Sequence, residues 1–161
     1  MGLNSLLPLN IVLSLVSFSL IGRWYVMPWL RSVSCVQALT PLLLLHSFRH
    51  IGMVFLLPGV TATALDVRFA NPAAYGDLLT AILAFVALLA LRLRWTLAIP
   101  LIRMFNIVGS VDLLNALWQG FQHISAGNLG ATYFIPAVVV PALLVTHYMI
   151  SRLLLLPSQM D

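Results

Sequence analysis

Two histidines and an arginine interrupt an otherwise apolar stretch, LLLLHSFRHIGMVFLLP, at residues 42–58. His46, Arg49 and His50 are spaced so that they share one face of an α-helix. An ionisable side chain at membrane depth carries a large free-energy cost unless it is paired or hydrated. The sequence therefore predicts that this face points toward other helices and not toward lipid.

Polar side chains in the later apolar segments complete two predicted groups, which differ in their depth along the bundle. The predicted catalytic set is Arg49, His50, Asp77 and Asp112. The predicted ligand-binding set is His46, Arg103, Asn106, Asn115 and His147. The catalytic set and Asn115 are placed in an outer pocket, whereas the other ligand-binding residues are placed deeper, toward the inner side.

Among the predicted catalytic residues, Arg49 most needs a partner of opposite charge. Its guanidinium stays charged at any accessible pH, so it cannot escape burial by losing a proton. Asp112 and Asp77 lie in the same predicted half of the bilayer as Arg49. We predict that a carboxylate from another helix holds Arg49, with Asp112 the first choice and Asp77 the second.

The outer pocket is predicted to handle a small or lipophilic ligand, by acid–base chemistry or by binding alone. An imidazole beside a carboxylate and a guanidinium can move a proton at neutral pH. The same residues would also suit a proton-coupled transporter, a non-catalytic subunit of a larger membrane complex, or a polar lock for the bundle. Whether the chain is an enzyme stays open at this point.

Two cofactor hypotheses follow from the histidines. His46 and His50 are one helical turn apart, which is a spacing for a shared metal ion, although Arg49 between them opposes a cation. His46 and His147 lie at similar predicted depths on different helices, as a bis-histidine haem site requires. The sequence demands neither, so no metal residue is assigned and the cofactor is unknown.

The composition indicates which kind of element positions these side chains. The chain is 61% hydrophobic and 7% charged, with a mean hydropathy of +1.04, and it contains no lysine or glutamate. Soluble domains carry about 25% charged residues. These values predict an integral membrane protein that is embedded in the lipid bilayer. The eight arginines are too scattered for a nucleic-acid surface, so no nucleic-acid partner is expected.

Five apolar segments are each near the roughly 20 residues that a spanning helix needs. They predict an all-α, single-domain bundle of five transmembrane helices, at residues 4–22, 36–58, 73–91, 96–119 and 131–155. The first segment lacks a basic start and a cleavage site, so it is expected to be retained as an anchor. Prolines 136 and 141 predict a kink in the last helix. A homo-oligomer or further membrane subunits are possible partners.

The arginines predict the orientation of the bundle. Five spans place one group of arginines on a single side: Arg23, Arg31, Arg92, Arg94 and Arg152. The other side carries Arg68, beside Asp66. The positive-inside rule then places the N-terminus outside and the C-terminus in the cytoplasm. The expected location is a cell membrane, of the bacterial inner-membrane type.

Overall fold

The computed structural model describes residues 3–155, and every regular element in that range is helical. Five helices are long and apolar enough to cross a membrane, as the sequence predicts. In chain order they are α1 (Ser5–Ser32), α2 (Cys35–Leu56), α3 (Val67–Arg92), α4 (Ala98–His123) and α5 (Gly130–Leu154). We call the end of the bundle that carries Arg31, Arg92, Arg94 and Arg152 the arginine-rich end.

Helix α1 is longer than predicted. A π-helical turn, Gly22–Val26, joins its first part to a final segment, Met27–Ser32. Residues 23–32 therefore continue the helix and are not the connector that their polar and aromatic character suggested. Such residues suit the interface beyond the hydrocarbon, where a helix can continue. The actual connector is only Val33 and Ser34, and Ser34 caps α2 together with Gln37.

Helix α2 changes type halfway along its length. It is α-helical over Cys35–Ser47 and becomes a 3-10 helix over Phe48–Leu56. Nine residues is long for a 3-10 helix, because its hydrogen-bond geometry is poorer than that of an α-helix. With three residues per turn, Arg49, Gly52 and Phe55 stack on one face, and all three are buried.

Helices α3 and α4 form an antiparallel pair with a short connector at residues 93–97. Asp66 caps α3 by accepting a hydrogen bond from the Arg68 backbone, so the helix begins at Val67, earlier than predicted. Hydrogen bonds from Arg68 hold the pKa of the Asp66 carboxyl well below its usual range, so this cap stays charged. Asn71 and Pro72, which precede the predicted span at residues 73–91, both lie within α3.

A stripe of alanines allows the helices around α3 to approach closely. The buried members of the stripe are Ala70, Ala73, Ala74, Ala81, Ala84, Ala87 and Ala90. Small residues at this spacing bring helix backbones together. Asp77 lies within the stripe, between Ala74 and Ala81, so the packing that buries the alanines also turns this carboxylate inward.

Helix α5 begins irregularly, where the prolines predicted it. A 3-10 turn, Gly130–Tyr133, leads to a π-turn, Ile135–Val139, and the regular α-helix runs over Val140–Leu154. Gly130 has a φ of 54° and lies against the backbone of Ala62. Backbone hydrogen bonds join this start of α5 to the connector between α2 and α3.

Two apolar clusters occupy the ends of the bundle. The cluster near the arginine-rich end includes Leu39, Leu43, Ile102 and Phe105, and the cluster near the opposite end includes Phe55, Phe69 and Leu129. Along each of the helices α2 to α5, the polar residues lie between the part that joins one cluster and the part that joins the other. The bundle therefore holds a polar layer between two apolar layers.

The arginine distribution predicts that the α2–α3 connector is extracytoplasmic and the α3–α4 turn is cytoplasmic. Single cysteines at Ala64 and Leu93, both exposed, report on the two sides when Cys35 is replaced by alanine. An impermeant thiol reagent applied to intact cells should label position 64 and leave position 93 unlabelled. Labelling at position 93 alone would invert the orientation.

Candidate functional site

Arg49 is the centre of the polar layer. Its side chain is 1% exposed, and its Nη2 lies 2.7 Å from Asp77 Oδ1 and 2.5 Å from Asp112 Oδ2. Its Nε also donates to Asp77 Oδ1, over 2.7 Å. The predicted pairing is therefore present with both aspartates at once. One guanidinium joins α2 to α3 and α4.

The third guanidinium nitrogen is also engaged. Nη1 of Arg49 donates to the Gly109 carbonyl at 3.1 Å and lies 3.4 Å from Nε2 of His147. Every nitrogen of the arginine thus has an acceptor within the protein. A ligand could receive a hydrogen bond from Arg49 only by displacing one of these acceptors.

A chain of hydrogen bonds continues from Arg49 toward the arginine-rich end. Nδ1 of His147 lies 2.9 Å from Oδ1 of Asn106, whose Nδ2 donates to Ser151 Oγ over 2.7 Å. Because Asn106 Oδ1 can only accept, this arrangement assigns the proton of a neutral His147 to Nδ1. Nε2 is then an acceptor, which matches its position beside the Arg49 donor.

His46 packs against His147 with its ring tilted by 42°, and no hydrogen bond joins it to Arg49. The two imidazole centroids are 4.0 Å apart, and Phe105 contacts both rings. Nε2 of His46 lies 3.0 Å from Thr146 Oγ1, whose hydroxyl donates to backbone carbonyls of its own helix. Among residues that the structure describes, none forms a hydrogen bond with the buried Nδ1 of His46.

Three of the predicted site residues lie away from this network. His50 is exposed and its Nδ1 contacts the Ser47 carbonyl, because the 3-10 geometry rotates it away from the buried face that carries His46. Arg103 and Asn115 are exposed on α4. The buried face of α4 instead runs through Ile102, Phe105, Asn106, Gly109 and Leu113. The structure therefore brings together His46, Arg49, Asp77, Asn106, Asp112 and His147.

Three glycines make room for the charged network. A Cβ on Gly52 would collide with Asp77, and one on Gly76 would collide with Asp112. A Cβ on Gly109 would meet the His147 ring at 2.6 Å. Of the three glycines, only Gly52 lies in the histidine-containing stretch at residues 42–58. The signal for the other two was available, since glycines in apolar helices commonly mark close contacts. Thr146 and Ser151 were also missed.

A cavity of about 150 Å³ lies beside the charged cluster formed by Arg49, Asp77 and Asp112. Arg49 and Asp77 form its polar edge, and apolar side chains from α2, α4 and α5 form the rest. Phe48 and Ile51 of its lining are 60% and 56% exposed, so the cavity borders the outer surface of the bundle between α2 and α5. An apolar molecule could therefore reach the cavity from the outer surface of the bundle.

The two cofactor hypotheses do not fit this geometry. His50 and His46 lie on different faces of α2, so they cannot share a metal ion as the α-helical spacing suggested. His46 and His147 are in ring contact, which leaves no space between them for a porphyrin. In the part of the chain that the structure describes, no group of three or more His, Cys, Asp or Glu side chains could hold a metal ion.

The glycine contacts generate the first prediction for the site. Replacing Gly52 or Gly76 by alanine should destabilise the protein by about 1–3 kcal/mol, as over-packing does. The displaced carboxylate would also lose its contact with Arg49. Thermal melts in one detergent measure the loss. Gly127→Ala is the matched control, because nothing lies within 4 Å of its added Cβ. An unchanged melt for both site variants would contradict these contacts.

The charge pairing generates a second prediction. Arg49→Leu should cost about 3–5 kcal/mol, because it strands two carboxylates that are only 13% exposed. Asp77→Asn and Asp112→Asn should each cost less, because a balanced pair remains. The triple variant Arg49→Leu/Asp77→Leu/Asp112→Leu should recover much of the loss. Strictly additive losses in thermal melts would refute coupling among the three residues.

The comparisons with known proteins place the chain in a family whose function is not known. A model described as domain of unknown function, DUF8737, matches residues 6–155. No curated protein and no solved structure matches the chain. Since the matched range covers nearly all of the sequence, the chain belongs to the DUF8737 family.

Proposed function

We propose that the protein binds a small lipophilic ligand beside Asp77 and releases a proton from the aspartate as the ligand binds. In this proposal it is a multi-pass membrane protein of the bacterial inner-membrane type, with its N-terminus outside. The observation that carries the proposal is the excess of negative charge in the cluster of Arg49, Asp77 and Asp112. Two carboxylates surround one guanidinium, so the ionised cluster has one negative charge too many.

A proton or a cationic ligand would balance this excess. Asp77 and Asp112 each present one oxygen that Arg49 does not occupy, and Asp77 lines the cavity. Arg49 itself has no donor to spare. The ligand that this supports is therefore one that donates a hydrogen bond to a carboxylate or carries a positive charge, and not an anion.

The cavity limits the apolar part of the ligand. A cavity of about 150 Å³ lined by aliphatic and aromatic side chains can take a group about the size of benzene. Entry between α2 and α5, past Phe48 and Ile51, favours a molecule that partitions into lipid. Acid–base chemistry at the site would consist of a proton leaving the aspartate as the cation binds. Whether a reaction follows binding decides between an enzyme and a carrier.

Three ligands of the same size and different charge test the proposal. Calorimetric titration of the detergent-purified protein should rank benzylamine first, benzyl alcohol second and benzoate last. Asp77→Asn should remove the preference for the amine. Asp66→Asn, which alters a partly exposed aspartate at the cap of α3, should leave the ranking unchanged. Benzoate binding as tightly as benzylamine would overturn the proposal.

The proposal also predicts how the affinity for benzylamine changes with pH. If the aspartate releases a proton when the amine binds, the affinity for benzylamine should rise with pH, up to the pH at which the amine itself becomes neutral. Titrations in buffers of different ionisation enthalpy should show release of about one proton per ligand. Binding without proton release would show that the cluster is already ionised and would contradict proton exchange.

A further inference from the structure

We infer that a groove between α1 and α5, near the arginine-rich end, binds the phosphate and upper acyl chains of an anionic phospholipid. The groove has a volume of about 690 Å³ and shares no lining residue with the proposed ligand cavity. Ligand pockets typically have volumes of about 300–1,000 Å³. Three arginines line it, Arg23 and Arg31 from α1 and Arg152 from α5.

The π-turn in α1 aligns the first two arginines. In a regular α-helix, positions eight apart differ by about 80° around the axis. A π-turn takes up one additional residue, so Arg23 and Arg31 differ by only about 20°. The π-turn Gly22–Val26 thus brings both guanidinium-bearing positions to the side of α1 that lines the groove.

Helix α1 is also the span least engaged with the rest of the bundle. Only 11% of its most apolar stretch is buried, compared with 33–44% for the other four spans. It contacts α5 where Met149 lies against Gly22, and Asn10 donates to Tyr133 near the opposite end. Along the remaining surface between these helices, apolar side chains such as Leu15 and Val145 face the groove.

The charge of the groove matches a phosphate group. The described residues that line it include three cationic side chains and no acidic one. Arginine pairs well with phosphate because its planar donors match the phosphate oxygens.

The depth of the groove favours a lipid over a soluble phosphate. Three exposed aromatic residues, Trp24, Tyr25 and Trp29, flank the arginines on α1. Tryptophan and tyrosine concentrate at the level of lipid headgroups. The arginines therefore lie where phosphates of one leaflet lie, and the apolar walls continue toward the level of the acyl chains. Basic pockets between spanning helices are a recurring form of anionic-lipid site.

Native mass spectrometry of the purified full chain, with defined lipids added, tests this site. Phosphatidylglycerol should bind more tightly than phosphatidylcholine with the same acyl chains. Arg23→Gln/Arg152→Gln should weaken phosphatidylglycerol binding by about 25-fold, at about fivefold for each arginine near the headgroups. The matched control, Arg92→Gln/Arg103→Gln, removes two charges outside the groove and should retain the binding.

A groove-filling variant and a soluble phosphate test the site independently of the arginine variants. Ser19→Trp fills the groove without changing its charge and should also weaken phosphatidylglycerol binding, even if the double arginine variant does not fold. Glycerol 3-phosphate, which has the headgroup chemistry without acyl chains, should bind far more weakly than the lipid. Equal binding of glycerol 3-phosphate, equal binding of phosphatidylcholine, or an equal loss in the control variant would each overturn the inference.

Discussion

A buried guanidinium that cannot lose its charge is the constraint on which the middle of this structure depends. Arg49 is 1% exposed at its side chain, so its charge must be met by acceptors from the surrounding helices. Asp77, Asp112, the Gly109 carbonyl and His147 supply them, from α3, α4 and α5. The relative rotation of four helices is therefore linked to one side chain.

Close approach of the backbones makes this arrangement possible. The aspartate side chains are short, so they reach Arg49 only when their helices lie near α2. Gly52 and Gly76 provide that proximity, because each leaves the space in which a carboxylate lies. The 3-10 segment of α2 has a related effect, since it stacks Arg49 and Gly52 on one face. Charge and packing at this site are thus not separable.

The polar layer combines rigidity with an unbalanced charge. Apolar clusters on both sides exclude water from much of it, which strengthens the interactions within it. A network that served only to lock the bundle would be balanced by one carboxylate. The second carboxylate, beside a cavity that borders the outer surface of the bundle, is the feature that supports a ligand or a proton as the missing positive charge.

The sequence by itself determined the five apolar helices and the need of Arg49 for a carboxylate partner. Both depend on quantities that are local to the chain: the length of an apolar run, and the charge of a guanidinium that burial cannot neutralise. It also identified Asp112 and Asp77 as the partners, because few aspartates lie at that depth. The tertiary structure decided which further residues join them. Helix type depends on packing, so the 3-10 turn excluded His50 and the π-turn extended α1 past residue 22. The rotation of α4 excluded Arg103 and Asn115, because burial is set by neighbouring helices and not by the polarity of a side chain.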